Sequence, residues 1–300
     1  MQEIDLARIA VALIFFAFAS ISDWKTRKVG NITWIVLGAI AFGLFWLDLM
    51  QRNAPLISQS LLLPTLFLFV DIFWDRKKDI KTLTGSAGAI LYILSFSWVA
   101  YVAYSVMTGS TVWNENISGP MIAFAMVVVF ELFYMLDVIK GGADAKAVIC
   151  LAVLFPLYPE VVNGLPLINP TFDAIPDFFV FALSVLFVGA LISLVTPFYF
   201  LARNIRSGNK ISGRSFLGFT LPINKVEGQF VWLIEWVEDG QLRFSARKMR
   251  DSANIREDLE ALRAMGKDEV WVTYKIPFII PLAVGVAIVL VLGNPLFLLY

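Results

Sequence analysis

The sequence contains no histidine and a single cysteine, Cys150, among its 300 residues. One cysteine excludes a disulfide within the chain. Without histidine or further cysteines there is also no ligand cluster for zinc, haem or an iron–sulfur centre, so we expect no metal and no other cofactor. The missing histidine removes the side chain that enzymes use most often as a general base. Acid–base chemistry would therefore fall to Asp, Glu, Lys or Tyr.

Charged residues are also scarce. They make up 16% of the chain, whereas 59% is hydrophobic and the mean hydropathy is +0.76. Soluble domains contain about 25% charged residues, so the composition predicts a polytopic membrane protein whose main surroundings are the lipid bilayer. The formal net charge is zero, which gives no reason to expect a nucleic-acid partner. The oligomeric state cannot be inferred from composition.

A helix that crosses a bilayer needs roughly 20 mostly apolar residues. By this measure the sequence predicts eight transmembrane helices, or seven if one segment is re-entrant. They cover residues 5–22, 31–50, 57–74, 84–107, 118–139, 144–159, 176–202 and 276–299. The sixth is short. The first lacks the basic flank and the small-residue cleavage site of a signal peptide, so we expect it to be retained.

The distribution of basic residues predicts an orientation in the cell membrane. If the N-terminus lies outside, 22 of the 24 basic residues fall in the inner loops, and only Arg8 and Arg52 remain outside. Shifting the assignment by one span would reverse this bias, which follows the positive-inside rule. The prediction places both Asp23 and Asp144 at the cytoplasmic face.

The one long polar stretch, 203–275, predicts a small α+β domain on the cytoplasmic side, inserted before the last helix. Strand-like runs at 230–237 and 241–246 flank Asp239-Gly240, a hairpin signal. Asn254 with Glu257 predicts the start of a helix that Gly266 would end, and a further strand is expected at 270–276.

The predicted fold class is therefore an all-α polytopic membrane protein with about eight transmembrane helices and this inserted domain. The predicted domains are residues 1–202, 203–275 and 276–300.

The segment 140–146 (KGGADAK) interrupts two apolar runs and places Asp144 at the start of the second. Charged groups at membrane depth are costly, so such a residue suggests a function. The most informative candidate for a partner is Asp23. Two carboxylates within hydrogen-bond reach cannot easily both ionise, so one can activate water while the other donates to a carbonyl. The simpler interpretation is that both are solvated helix ends beside lysines.

Other acids compete for a functional role. Glu131 lies within the fifth span and Asp137 at its inner end. With Asp144 they would suit the proton relay of a proton- or ion-coupled transporter, although Glu131 is also explained as a protonated carboxyl or one bonded to Tyr134. Asp137 is the strongest rival for a catalytic role. A purely structural scaffold is a third possibility. Asp48 and Asp71 are expected to face water at opposite ends of their spans.

The two aspartate segments resemble the motifs of the archaeal preflagellin and prepilin peptidases, the Gly-x-Gly-Asp class of membrane aspartyl proteases. Residues 22–31 (SDWKTRKVGN) resemble the first-aspartate segment, and residues 141–147 (GGADAKA) resemble the second. Residues 221–224 and 271–277 resemble a C-terminal region of some archaeal members. Ala143 stands where the family has its second glycine, and Gly30 where proline is frequent.

The resemblance implies an endopeptidase that cuts the leader peptide of archaellin or type IV pilin precursors at the cytoplasmic face, with Asp23 and Asp144 as the catalytic pair. The partner would be the hydrophobic helix of the precursor. Gly141 and Gly142 would let the backbones approach closely, whereas the side chain of Ala143 makes a close approach at that position less favourable. Lys146 would either bias the ionisation of Asp144 or extend towards the lipid headgroups.

Overall fold

The computed structural model of the protein describes residues 2–73, 82–159, 165–167, 180–246 and 255–295. The chain divides into two compact units. One comprises Met1–Gly189 together with Phe278–Tyr300, and the other comprises Ala190–Pro277.

Helices account for most of the described residues. In chain order they are α1 Gln2–Thr26, α2 Asn31–Gln51, α3 Leu56–Ser60, α4 Leu62–Asp71, α5 Leu83–Met107, α6 Glu115–Met135, α7 Gly142–Leu154, α8 Phe181–Ser193, α9 Val195–Arg206, α10 Ile255–Ala264 and α11 Ile279–Leu292. The strands are β1 Phe219–Pro222, β2 Val231–Leu233, β3 Glu235–Glu238, β4 Gln241–Phe244 and β5 Glu269–Tyr274.

Five helices of the described chain are long and apolar enough to cross a membrane: α1, α2, α5, α6 and the stretch Phe181–Arg206 formed by α8 and α9. This confirms a mostly helical protein of membrane type, but not the predicted number of eight spans. Two of the other three predicted spans coincide with shorter apolar helices, namely α3 with α4, and α11. The third, 144–159, coincides with α7 and the residues that follow it. Residues 74, 176–179 and 296–299 of the predicted spans lie outside the described residues.

Prolines explain two of the breaks between consecutive helices, the one between α3 and α4 and the one between α8 and α9. Pro64 and Pro197 have no backbone N–H, so neither can complete the hydrogen bond to the carbonyl four residues earlier. Those carbonyls belong to Ser60 and Ser193, the last residues of α3 and α8. The predicted spans were drawn from the apolar runs, which continue through both breaks.

The first unit is organised around α7. Ala145 and every residue from Ala147 to Phe155 are buried, and a helix that is apolar on all sides belongs in a protein interior. The helix packs between α2 and α6, while α1 packs along α11 and against α2. The segment that carries Asp144 is thus held on several sides by other helices of its unit.

A buried ionic network joins α1 and α2 near the start of α1 and the end of α2. Arg8 binds Asp5 at 2.9 Å and Asp48 at 3.0 Å, and Arg52 binds Asp48 at 2.9 Å and also Glu115. Burial disfavours the charge of Arg52, but its bonds to Asp48 and Glu115 raise its pKa above the ordinary value.

Two acidic side chains, one of them in this network, correct the sequence prediction. Asp48 and Asp71 are both buried, not facing water as expected. The carboxylate of Asp48 is neutralised by the two arginines, and that of Asp71 accepts a 2.7 Å hydrogen bond from the Tyr92 hydroxyl. Ion pairing and hydrogen bonding offset the cost of burying both groups.

The second unit contains the small sheet. Strands β1, β5 and β2 form a three-stranded antiparallel sheet in that order, and β3 pairs with β4 as a hairpin. Asp239 and Gly240, between β3 and β4, have φ angles of 51° and 71°, as the predicted hairpin turn requires. Helix α10 ends before Gly266, whose φ is 75°. Asn254, the predicted start of this helix, lies outside the described residues.

The predicted run 230–237 is divided between two sheets. Val231–Leu233 pairs with β5, whereas Glu235–Glu238 pairs with β4. A core of apolar side chains fills the space between the strands, α9 and α10, and it includes Phe200, Phe219, Leu233, Leu259 and Val272.

Candidate active site

Asp23 lies in the last turn of α1, and its side chain is buried. The backbone N–H of Ile279, the first residue of α11, donates a hydrogen bond to this carboxylate. The first N–H groups of a helix have no partner within the helix and carry the positive end of its dipole, so they stabilise a negative charge. The guanidinium of Arg27 also acts electrostatically on Asp23.

The chain after Asp23 is held in a defined turn. Arg27 has a φ of 55°, and its N–H donates to the carbonyl of Asp23 at 2.9 Å. The hydroxyls of Ser22 and Thr26 both donate to the carbonyl of Lys28, at 3.0 and 2.9 Å. These bonds end α1 immediately after the aspartate and fix the backbone on its C-terminal side.

Asp144 is the third residue of α7, and its carboxyl group lies directly over Gly141, the residue that precedes this helix. A Cβ atom on Gly141 would be 2.8 Å from Cγ of Asp144 and closer still to Oδ2, a separation that two non-bonded heavy atoms do not adopt. Gly141 has φ −88° and ψ 120°, angles open to any residue. Glycine is needed here for space and not for conformation.

The two aspartates act on each other electrostatically. The charge of Asp23 acts on the carboxyl of Asp144, which is itself largely removed from water. Two like charges in a weakly solvated site repel, and the arrangement with one proton between them is favoured. The two aspartates that the distribution of basic residues predicts at one face of the membrane therefore interact electrostatically in the structure.

Lys146 connects the two aspartate motifs. Its Nζ donates to Oδ1 of Asn31 at 2.7 Å and lies 5.0 Å from the centre of the Phe73 ring. One turn further along both helices, Sγ of Cys150 lies 3.4 Å from the carbonyl oxygen of Trp34 as a second polar contact. Together these contacts align α7 with the start of α2, where the first-aspartate motif ends.

The two departures from the family motifs fit the local backbone. Ala143 is the second residue of α7, and alanine has the highest helix propensity of any residue. Gly30 has φ −66° and ψ 147°, and a φ near −65° is the one that proline imposes. Neither position has a positive φ that would require glycine.

Gly142 and the rival acids occupy different surroundings. A Cβ on Gly142 would meet the Tyr134 hydroxyl oxygen at 3.4 Å, an ordinary contact. Asp137 is exposed, with a φ of 56°, and its N–H donates to the carbonyl of Tyr134 at 3.2 Å in the turn after α6. Glu131 is partly buried on α6. The acidic charge that acts on Asp144 comes from Asp23.

Two contacts of the site were not predicted from the sequence. Asn31 is part of the first-aspartate segment, but its role as the partner of Lys146 depends on the packing of α2 against α7. The other contact is made by the backbone N–H of Ile279. Every residue except proline has this group, so the identity of residue 279 does not predict the contact. Pro277 is a nearby sequence feature, since proline is common where a helix begins.

The fold and these contacts define a helical protein of membrane type in which two interacting carboxylates lie at the ends of neighbouring helices. A profile described as Archaeal Peptidase A24 C-terminus Type II matches residues 214–294. The preflagellin peptidase of Methanococcus voltae is 23% identical to the chain over 290 residues, which cover 95% of this chain and 94% of that protein.

These two matches support the archaeal preflagellin peptidase family for this chain. They confirm the resemblance of the sequence to this family. The profile match begins in the second unit and continues into α11, whereas the similarity to the Methanococcus voltae protein extends over both units.

Proposed function

We propose that this protein is a membrane aspartyl endopeptidase that removes the leader peptide of archaellin or type IV pilin-like precursors. The observation that carries the proposal is the electrostatic interaction of Asp23 with Asp144, each on a first or last helical turn. The similarity to a preflagellin peptidase over nearly the whole chain supports the same activity and the same class of substrate.

In the proposed reaction the two carboxyl groups share one proton. The ionised carboxylate takes a proton from a water molecule, whose oxygen attacks the scissile carbonyl carbon, while the protonated carboxyl donates to the carbonyl oxygen. As the tetrahedral intermediate collapses, the C–N bond breaks and the leaving nitrogen receives the proton that was taken from water. One hydroxyl group of the intermediate returns its proton to the carboxylate that had donated to the carbonyl oxygen, and the C=O bond of the new carboxyl terminus forms. The pair then again holds one proton.

The surroundings suit the two carboxyl groups to these roles. The N–H of Ile279 donates to the carboxylate of Asp23, which is buried, whereas Asp144 is held against Gly141 at the start of α7. Lys146 interacts with Asn31 and not with Asp144 in the described contacts, so we assign it the alignment of α7 on α2.

The proposed topology places the N-terminus outside and the site at the cytoplasmic face, where the leader of a precursor would precede its hydrophobic helix. It has eight spans, with 57–74, 144–159 and 276–299 as the shorter ones, and residues 203–275 form the cytoplasmic domain. The support for this arrangement is the concentration of 22 of the 24 basic residues on one side.

The test is cleavage of a prearchaellin by membranes that contain the protein. Asp23→Asn and Asp144→Asn should each lower the rate of leader removal at least about 100-fold, as expected for the loss of an acid–base group. Asp137→Asn is the matched control and should remain active. Cleavage that persists in either of the first two variants would exclude the pair, and loss only in Asp137→Asn would transfer the role to the rival acid.

A further inference from the structure

Helix α9 in the second unit has two faces of opposite character. Phe200 and Asn204 point into the unit and are buried. The opposite face is apolar and exposed: Val195, Phe198 and Ile205 are 65%, 65% and 52% exposed. A helix at the surface of a domain in water normally presents polar residues on its outer side, so this face is suited to an apolar environment.

The segment that follows α9 continues this pattern. The carboxamide of Asn204 donates to the carbonyls of Ser215 and Gly218, at 3.2 and 2.8 Å, and thereby holds the segment 207–218 against the end of α9. This segment exposes three large apolar side chains, those of Ile211, Phe216 and Leu217.

The charge on this part of the chain has one sign. No acidic residue occurs from 178 to 226, and the exposed cations near the end of α9 are Arg206, Lys210 and Arg214. Exposed apolar side chains interspersed with cations are typical of segments that lie in the interface of a membrane with anionic lipids.

The position of α9 and the segment 207–218 in the chain indicates that a lipid bilayer covers their exposed apolar side chains. Helices α8 and α9 form one of the stretches long and apolar enough to cross a bilayer, and this stretch ends at Arg206. Phe200 of α9 is already part of the core of the small sheet domain, so the chain would leave the hydrocarbon along α9, and this helix and the residues after it would lie at the depth of the lipid headgroups.

We propose that the outer face of α9 together with residues 205–217 docks on an anionic bilayer surface and fastens the small sheet domain to it. The apolar side chains would enter the boundary between headgroups and acyl chains, and the three cations would bind lipid phosphates. This docking surface is independent of the peptidase activity proposed above.

The test uses the full-length protein in nanodiscs, with single cysteines introduced at Ile211 and Leu217 and labelled with a fluorophore. Cys150 is fully buried, so the parent protein serves as the labelling blank. A third label at Asp239, the exposed tip of the β3–β4 hairpin of the same unit, is the control. In bilayers that contain phosphatidylglycerol, nitroxide-bearing lipids should quench the labels at 211 and 217 several-fold more than the label at 239.

Charge variants separate the contribution of this surface from that of net charge. Replacing Arg206, Lys210 and Arg214 together by Gln should reduce the lipid quenching in anionic bilayers to the level found in phosphatidylcholine. Replacing Arg243, Arg256 and Arg263 by Gln removes the same charge from β4 and α10 and should leave the quenching unchanged.

Three outcomes would overturn the proposal. The labels at 211 and 217 could be quenched by aqueous iodide as strongly as the label at 239. They could be protected from iodide without being quenched by lipid, which would mean that a protein surface covers them. The two triple variants could also have equal effects, which would mean that the three cations act only through the net charge of the protein.

Discussion

At the scale of single residues, Gly141 and Asp144 share one small volume. The carboxyl group of Asp144 occupies the place where any other residue at 141 would carry its Cβ atom. The neighbouring Gly142 has no such constraint, because its nearest contact for a Cβ is the Tyr134 hydroxyl at 3.4 Å. The first of these two adjacent glycines thus determines where the aspartate side chain lies.

Gly141→Ala should therefore displace the Asp144 carboxyl, whereas Gly142→Ala should not. Misplacing a reacting group by about 1 Å can cost on the order of 100-fold in rate. We expect a loss of this size in kcat/KM for Gly141→Ala and near-parental activity for Gly142→Ala, measured by leader cleavage with equal amounts of protein in the membrane. Equal activity of the two alanine variants would contradict the role of Gly141.

The hydrogen bond from Lys146 to Asn31 gives a second prediction at this scale. If Lys146 acts by aligning α7 on α2, Lys146→Met and Asn31→Ala should lower kcat/KM to a similar extent. The double variant should then be no worse than either single one, with a coupling free energy of about 1 kcal/mol. Asn31→Asp keeps an acceptor and should retain activity. A much larger loss in Lys146→Met than in Asn31→Ala would instead assign Lys146 a direct part in the reaction.

The aspartates could be located from the sequence because each breaks an apolar run, which is costly and therefore informative. The residues that hold the aspartate segments in place could not be located from the sequence. The bond between Lys146 and Asn31 joins residues that are 115 positions apart and exists only because α2 packs against α7. The assignment of catalytic roles to Asp23 and Asp144 stays a prediction until their variants are assayed.

At the scale of helices, hydropathy identified where the chain is apolar but not where each helix ends. Pro64 and Pro197 each interrupt the hydrogen bonds of an apolar run, and α7 ends at Leu154, just before Phe155 and Pro156. The residue before a proline is biased away from the helical region. Side-chain hydropathy does not reflect these backbone effects. The number of spans was therefore less predictable than the positions of the apolar segments.

The ionic network between α1 and α2 gives a prediction for stability. Arg8→Met would leave the buried carboxylate of Asp5 without its arginine, and that of Asp48 with Arg52 alone. Breaking a buried pair costs about 3–5 kcal/mol, and we expect about 3 kcal/mol because Arg52 remains bound to Asp48. Denaturant unfolding in detergent would measure this change.

Glu115→Gln is the matched control for this network. Its side chain is 70% exposed, and exposed pairs contribute at most about 1 kcal/mol. A cost for Glu115→Gln as large as that for Arg8→Met would show that burial does not determine the contribution of these charges.

At the scale of the whole molecule, the two basic residues on the proposed outer side are consistent with the proposed orientation. Arg8 and Arg52, which the proposed topology leaves on the outer side, are both bound to acidic side chains. Their charges are neutralised within the protein, so they do not oppose the positive-inside bias of the remaining basic residues.

The orientation itself can be tested with single cysteines at Gln2 and Asp239. A membrane-impermeant maleimide should label the cysteine at Gln2 in intact cells and the one at Asp239 only after lysis. Cys150 is buried and provides the unlabelled background. The reverse pattern of labelling would invert the topology and move Asp23 and Asp144 to the outer face.

The hydrogen bond from Ile279 to Asp23 joins the first helix of the chain to the last one that the structure describes. During synthesis Asp23 leaves the ribosome long before Ile279, which supplies its backbone donor. Chains fold progressively from the N-terminus as they are made. A chain synthesised only as far as β5 would therefore carry both aspartates and yet lack the backbone group that holds one of them, so we expect the pair to be complete only after α11 has been made.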